Sequence, residues 1–324
     1  MNDREFYKSF FRLYVVLVLQ NIVTLSVNLA DNIMLGSYGE VSLSGVTSVN
    51  QIQFLYQQLL IAFGDGMVIF CSQYWGKKQF APMKKIIALA MRFGIAIAVI
   101  LFAVISVFPE QAMLCFTSDR QIIEEGVRYL HTIRFTYLFF AVTQMLLAAL
   151  RSTEVAGIAL RLSVMALVVN CGINYVLIFG RFGAPELGVT GAAIGTLTAR
   201  ILECGVLIFY VIRKEQYLRL QLSDFLKRDW QFLRDYLKIT LPLLVLCDLW
   251  GINTAMQTVV LGHMNSAAIA ANSAASNLYL MVKSAAVGAA SAASVVIGKT
   301  IGMGDEELVK RYARKLQILF VILG

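Results

Sequence analysis

Charged residues, histidines and paired cysteines are scarce in this sequence. Of its 324 residues, 15% are charged, whereas a soluble domain contains roughly 25%. The two histidines and five isolated cysteines show no metal-ligand spacing and no CxxC pair. The sequence has neither a histidine cluster nor an acid paired with a nucleophile. We therefore expect neither an enzyme nor a cofactor-binding protein, and we expect the cysteines to be small apolar core residues.

Apolar residues make up most of the remainder, and they occur in long runs. They account for 58% of the chain and cluster in stretches of about 20 residues, the length that crosses a bilayer as a helix. This pattern predicts an all-α polytopic membrane protein surrounded by lipid. The predicted spans lie near residues 10–35, 43–72, 86–108, 131–150, 158–180, 188–212, 239–262 and 267–297, and a ninth apolar run begins near residue 316.

The basic residues lie mainly on alternate connections between these spans. One set of connections, which includes the N-terminus, carries 21 lysines and arginines, and the other set carries Arg120, Arg128 and Arg181. Because cytoplasmic loops are enriched in Lys and Arg, this asymmetry predicts a cytoplasmic N-terminus. Membrane topology thus accounts for the net charge of +8, and we expect no nucleic-acid partner.

The sequence also contains a weak internal repeat with a period of 226 residues. This shift aligns Leu35-Gly36 with Leu261-Gly262, Gly76 with Gly302, and Lys84-Lys85 with Lys310-Arg311. Because the first unit has six predicted spans, both units start on the same side, which predicts a parallel repeat. We predict a six-helix lobe at 1–212, a cytoplasmic connection at 213–238 and an incomplete second lobe at 239–324. We therefore expect the chain to be a C-terminally truncated portion of a longer protein.

Charged residues also fall inside predicted spans, where each costs roughly 2.5–3.5 kcal/mol at the helix centre. They are Asp31, Asp65, Arg200, Glu203, Asp248 and Lys283. Arg200 and Glu203 are three residues apart on one helix, which predicts an ion pair. For Asp65 a packing role and a functional role are both open. For Lys283 we expect a cavity-facing position or a carboxylate partner.

Polar residues form stripes along three of the spans. Residues 21, 24, 28 and 31 share one helical face, residues 50, 53 and 57 share another, and Asn170 lies one turn from Asn174. Hydrogen bonding between membrane helices explains some of them, but an ionisable Asp31 on the first stripe favours a wet central cavity. Candidate lining residues are Asn28, Gln53, Gln57, Asp248 and Lys283, and Tyr56 and Tyr137 either line the cavity or pack.

Several segments resemble the multidrug and toxic compound extrusion (MATE) transporters, especially their bacterial branches. The segments are "NLADNIMLGSYGEVSLSGVT", "CSQYWGKK", "NCGINYVLIFG", "GVTGAAIGTLTAR", "LPLLVLCDLWGINTAMQTVVLGHMNSAAIAANSAAS" and "SAASVVIGKTIGMGD". The resemblance runs along nearly the whole chain and implies two lobes of six helices each, in agreement with the repeat. We therefore expect the complete first lobe and the start of the second, as a monomer in the bacterial inner membrane.

The resemblance implies an antiporter that exports organic, often cationic, compounds against an inward flow of H⁺ or Na⁺. Family members use a cation site whose motifs fall on Asp31, Asn170, Asn174 and Thr196, the residues that would hold Na⁺ if Na⁺ is the coupling ion. Asn174 stands where an Asp is frequent, so the site holds one carboxylate and both ions remain open. Asp248 is a weaker match to an acid that some relatives carry in span 7.

In the implied mechanism, H⁺ or Na⁺ from outside neutralises Asp31 and thereby releases a small cationic substrate outward. Desolvation favours the neutral carboxyl group, so a buried Asp31 suits this exchange. One alternative is a flippase for lipid-linked oligosaccharide or lipid from the same superfamily, which would need a more cationic cavity. Another is a channel, although no repeated filter sequence supports it.

Overall fold

The computed structural model describes residues 3–218, 220–221, 224–225, 229–262 and 266–323. Side chains are described at these positions except 3, 216, 248, 252, 254–255, 257–262, 266–278, 281 and 323. The described residues are helical apart from short connections and contain no strand, which confirms the predicted all-α class.

Long helices provide the membrane-spanning segments. The helices are α1 (Asp3–Tyr38), α2 (Glu40–Gly76), α3 (Phe80–Val107), α4 (Pro109–Leu114), α5 (Arg120–Ile133), α6 (Thr136–Ser152), α7 (Gly157–Ile178), α8 (Val189–Lys214), α9 (Trp230–Gly262), α10 (Ser266–Met303) and α11 (Glu306–Leu323). Short 3₁₀ turns lie at Arg181–Gly183 and Gln216–Leu218. Six described segments are long and apolar enough to cross a membrane, and the bent pair α5–α6 forms a further candidate span. This result confirms a polytopic membrane protein.

The fourth span differs from its predicted position at residues 131–150. It is a broken element in which α5 and α6 meet at an angle of 57°. The helix begins earlier than predicted because Asp119 caps α5, its side chain accepting hydrogen bonds from the backbone N–H groups of Gln121 and Ile122. The exposed face of α5 carries Arg120 and Arg128, so its composition resembles that of a loop even though its other face is buried.

Contacts between the two halves of the chain follow the 226-residue repeat. Helix α1 packs on α10, and α2 packs on both α9 and α10. The shift maps α1 onto α9 and α2 onto α10, so the α1–α10 and α2–α9 contacts are equivalent. A two-fold relation between the two units predicts such reciprocal packing.

The crossing of α2 and α10 has the same reciprocity at single residues. A Cβ atom at Gly76 would lie on the carbonyl oxygen of Lys299, and one at Gly302 would lie on the carbonyl oxygen of Gln73. The repeat aligns Gly76 with Gly302 and Gln73 with Lys299. Glycine is required at both positions because the two backbones touch there, as at close helix crossings in membranes.

The predicted connection at 213–238 is partly helical. Helix α8 ends at Lys214 and α9 begins at Trp230, nine residues before the predicted start of the seventh span at 239. The intervening chain is tied to the first six spans, since the Arg92 guanidinium on α3 donates to the backbone carbonyl of Asp224 at 2.8 Å. The lobe boundaries at 212 and 239 remain predictions.

Candidate cation site and substrate cavity

The four residues of the predicted cation site form one chain of hydrogen bonds across α1, α7 and α8. The Asn174 Nδ2 donates to Asp31 Oδ1 at 2.7 Å and lies 3.3 Å from Asn170 Oδ1. The Asn170 Nδ2 in turn donates to Thr196 Oγ1 at 3.1 Å. The structure therefore brings Asp31, Asn170, Asn174 and Thr196 together, although they lie up to 165 positions apart in the sequence.

The helix spacing of α7 and α8 explains this arrangement. Asn170 and Asn174 lie one turn apart on α7 and are both fully buried. On α8, a Cβ atom at Gly195 would overlap the Asn174 side-chain oxygen, so glycine makes the room that this asparagine occupies. The oxygen itself, Asn174 Oδ1, is buried and has no hydrogen-bond donor among the described residues. A buried acceptor of this kind calls for a cation or a proton donor as its partner.

The chemistry of the site is that of a hard monovalent cation or a proton. Its donors are one carboxylate, two amide oxygens and one hydroxyl, and oxygen donors of this type suit Na⁺ as well as a protonated carboxyl. Within the described residues, no cluster of three His, Cys, Asp or Glu side chains could hold a metal ion. Asp31 is the one acid among the four residues of the candidate cation site, as the sequence predicted.

Tyr129 on α5 adds to this site and was missed by sequence reasoning. It is 5% exposed, and its side chain lies close to Thr196. The predicted fourth span began after this residue, at 131, so Tyr129 was assigned to a loop. One face of α5 is buried, and this burial places Tyr129 beside the site. The sequence could have revealed that face as an amphipathic pattern.

A polar cavity of about 800 Å³ adjoins the cation site. Three of the predicted lining residues, Asn28, Gln53 and Gln57, form part of its wall. Asn170 and Thr196 also line it, so the cation site and the cavity share a wall. Further amide side chains of the wall, which sequence analysis did not select as lining residues, are Gln20, Asn32, Asn50, Gln51, Gln144 and Asn253.

The predicted ion pair on α8 lies in the cavity wall. Arg200 Nη1 donates to Glu203 Oε2 at 2.7 Å, and the guanidinium carbon lies 4.8 Å from the centre of the Phe140 ring. Arg200 follows Thr196 by four residues, so it occupies the same face of α8 one turn further along.

The remaining cavity candidates have different outcomes. The Lys283 ammonium lies over the ring of Trp250, 2.8 Å from the ring centre, and Trp250 rather than Lys283 lines the cavity. The side chain of Asp248 lies outside the described residues. Tyr56 and Tyr137 are buried and do not line the cavity, and the Tyr56 hydroxyl donates to the Tyr137 carbonyl oxygen at 2.7 Å. Of their two predicted roles, the structure supports packing.

Two polar contacts between α10 and the first six spans lie beyond the cavity, toward the N-terminal end of α1. Asp65 accepts a hydrogen bond from Arg151 at 2.7 Å, and Arg151 also donates to Ser291 on α10 at 3.5 Å. These contacts show Asp65 in an ion pair that joins α2 to the end of α6.

Glu154 forms a second junction at the same end. Its carboxylate accepts from Ser9 on α1 at 2.6 Å and from Lys299 on α10 at 2.5 Å. Ser9 precedes Asp31 by 22 residues, which is about 33 Å along a helix. The Glu154 cluster (Ser9, Glu154 and Lys299) is therefore far from the cation site.

Fold and site together define a polytopic membrane protein with a polar internal cavity beside a partly buried acid, Asp31. Residues 17–176 match the MatE family model. A probable multidrug resistance protein NorM of Rhizobium meliloti (strain 1021) is 26% identical over 297 residues, which cover 90% of this chain and 62% of that protein. A protein of the same name from Thermotoga maritima is 24% identical, with 98% of this chain and 68% of that protein covered.

Solved structures agree with this assignment at the level of the fold. A multidrug resistance MATE family transporter of the MOP superfamily, solved in an outward-facing conformation, superposes with a TM-score of 0.85 at 17% identity. The superposition covers 98% of this chain and 69% of that one. The chain belongs to the MATE family, whose members are transporters and not enzymes. It spans about three fifths of the length of its Rhizobium relative.

Proposed function

We propose that the protein is a cation-coupled antiporter that exports organic cations by alternating access, with H⁺ or Na⁺ entering at Asp31. The observation that carries the proposal is the continuous hydrogen-bonded path from Asp31 through Asn174 and Asn170 to Thr196. Because Asn170 and Thr196 also line the cavity, a change at Asp31 is transmitted directly to the wall that a substrate touches. The names of the relatives, which describe multidrug resistance proteins, support an efflux role.

The coupling step is a change of partner at Asn174. The Asn174 side-chain oxygen lacks a donor among the described residues. A proton on Asp31 or a Na⁺ ion between the two side chains supplies that oxygen with a partner. With Na⁺, the ligands would be Asp31, Asn170, Asn174 and Thr196. Either ion removes the net negative charge that retains a cationic substrate.

Transport requires that the two ligands favour different states of the protein, because a ligand shifts an equilibrium only by its differential affinity. In the present state, α10 is joined to the first six spans by the Arg151–Ser291 contact and the Glu154 cluster. Opening at that end requires these two junctions and the α2–α10 crossing at Gly76 and Gly302 to separate. We assign this end to the cytoplasm of a bacterial cell, in the inner membrane, because the basic connections cluster there. The monomer is the proposed working unit.

A flippase for lipid-linked oligosaccharide is the weaker alternative. A pyrophosphate group needs several free cations, and the arginine of the described cavity wall is already bonded to Glu203. The cavity therefore offers little positive charge for such a substrate.

The test is efflux of a fluorescent organic cation from proteoliposomes that contain the full-length protein, with Na⁺ and pH gradients imposed separately. We expect one gradient to drive efflux in the natural protein and Asp31→Asn to abolish that dependence. Asp119→Asn is the matched control, because asparagine caps a helix as well as aspartate does. Efflux that stays fully gradient-driven in Asp31→Asn would refute the proposed role of Asp31.

A further inference from the structure

The charges are balanced in the part of the cavity wall that the structure describes. Among the 25 lining residues that the structure describes, Arg200 and Glu203 are the charged ones, and they are bonded to each other. The sequence has no Asp, Glu, Lys or Arg between positions 249 and 282, a range that covers the second part of α9 and the first part of α10. Asp248 stands just before this range, and its side chain lies outside the described residues. A monocation entering this cavity therefore meets no carboxylate in the described wall that lacks a partner.

Both members of the ion pair line the cavity, but their side chains differ in exposure. The Glu203 side chain is 4% exposed and the Arg200 side chain is 25% exposed. Phe140 lies against the guanidinium group, and the bond to Glu203 uses Nη1. A guanidinium group has five N–H donors, and its edge accepts a carboxylate in a bidentate manner. Arg200 therefore has donors beyond Nη1 that can meet a second carboxylate.

A substrate with only one charge would separate this pair at a cost. An ammonium group that takes Glu203 leaves Arg200 without its carboxylate, and a carboxylate that takes Arg200 leaves Glu203 without its cation. An unpaired charge in a partly buried site is strongly unfavourable. A compound that carries both groups replaces each partner at the same time and leaves neither charge unpaired.

The rest of the wall suits a substrate with many hydrogen-bonding groups. Ten of the 25 described lining residues are Asn or Gln. An amide side chain both donates and accepts, so it satisfies polar groups of either kind. A purely lipophilic cation would instead bury these amides without partners, which is unfavourable.

We propose that the cavity selects zwitterions, binding the substrate ammonium at Glu203 and the substrate carboxylate at Arg200. The proposal rests on the proposed transport function and adds the residues that determine specificity. Asp31 then couples transport to the ion gradient, and the Arg200–Glu203 pair recognises the substrate.

The test uses three probes that share one fluorophore. They are Nε-dansyl-lysine, which is a zwitterion, its methyl ester, which is a cation, and its Nα-acetyl derivative, which is an anion. Gradient-driven transport into or out of proteoliposomes with the full-length protein is measured for each. We expect kcat/KM for the zwitterion to exceed that for the other two by about tenfold or more, because each of those leaves one wall charge unpaired.

Substitutions of the pair should change the preference in opposite directions. In Arg200→Gln the lone Glu203 should favour the methyl ester, and in Glu203→Gln the lone Arg200 should favour the acetyl derivative. A merely structural role would lower all three rates together and leave their ratio unchanged. Glu124→Gln is the matched control, because Glu124 pairs with Arg120 on the exposed face of α5 and is absent from the described wall.

Two results would overturn the inference while leaving the proposed function intact. One is gradient-driven transport of the methyl ester at least as efficient as that of the zwitterion. The other is a preference among the three probes that neither substitution changes. If no gradient drives these probes or a generic fluorescent organic cation, the proposed function itself is wrong.

Discussion

Removing the Lys299 ammonium group should open the end of the molecule that the Glu154 cluster closes. In Lys299→Met, the Glu154 carboxylate loses its bond to α10 and retains Ser9 on α1. The change removes one of the described contacts that hold α10 against the first six spans at this end, the others being the Arg151–Ser291 hydrogen bond and the α2–α10 crossing at Gly76 and Gly302. We therefore expect a larger population of the state in which that end is open.

The size of the effect follows from the burial of the pair. A hydrogen bond to a charged group contributes about 1.5–3 kcal/mol. Both side chains are 21% exposed, so partial screening by water places this contact at the low end, about 1.5 kcal/mol. A free-energy change of that size shifts a two-state equilibrium about tenfold.

The assay is a distance measurement between spin labels at two exposed residues. They are Lys77, which follows the end of α2, and Glu306, the first residue of α11, which comes soon after the end of α10. We expect Lys299→Met to increase the long-distance population. Glu154→Gln should have a similar effect, and the double variant should add little because both changes break one bond. Lys310→Met removes an exposed lysine on α11 and is the control. Unchanged distances in both single variants would refute the assigned closing role of this contact.

Two further predictions concern glycines at close helix approaches. Gly302→Ala should lower the free energy of unfolding of the solubilised protein by about 1–3 kcal/mol, because the added Cβ atom meets the backbone of Gln73. Gly172→Ala is the control and should leave the stability unchanged, because a Cβ atom there meets nothing within 4 Å. The unfolding temperatures of the two variants are compared by thermal unfolding. Equal unfolding temperatures would contradict the tight α2–α10 crossing. Gly195→Ala should abolish ion-gradient dependence by displacing the Asn174 side chain, whereas Gly205→Ala on the same helix should retain it. Full coupling in Gly195→Ala would show that the hydrogen-bonded chain tolerates displacement.

Asp31, Asn170 and Asn174 could be selected from the sequence because their chemistry conflicts with their surroundings, whereas Thr196 entered the candidate cation site through the resemblance to the MATE family. An acid inside an apolar run and two asparagines one turn apart are costly in a membrane, so a functional role explains them better than packing does. The Arg200–Glu203 pair was also predictable, since a helix brings residues three apart together whatever its neighbours are. The role of Asp65 was not, because its partner Arg151 lies 86 residues away.

The broken fourth span shows where sequence reasoning reached its limit. Its first half has one charged face, so a search for uniformly apolar runs begins at residue 131 and leaves out Tyr129. The burial of that residue beside Thr196 depends on how α5 packs on α2 and α8. Similarly, Tyr56 and Tyr137 have suitable chemistry for a cavity wall, and only the packing of their helices shows that they are buried elsewhere.

The sequence by itself determined the fold class, the approximate positions of the first six spans and the polar residues Asp31, Asn170 and Asn174 inside them. These features depend on local hydropathy and on the cost of polar groups in lipid, both of which can be evaluated one helix at a time. Tertiary structure alone decided that the cation site shares a wall with the cavity, that Arg200 and Glu203 face that cavity, and that Glu154 joins α1 to α10. These relations depend on the rotation and crossing of separate helices, which a single helix does not specify.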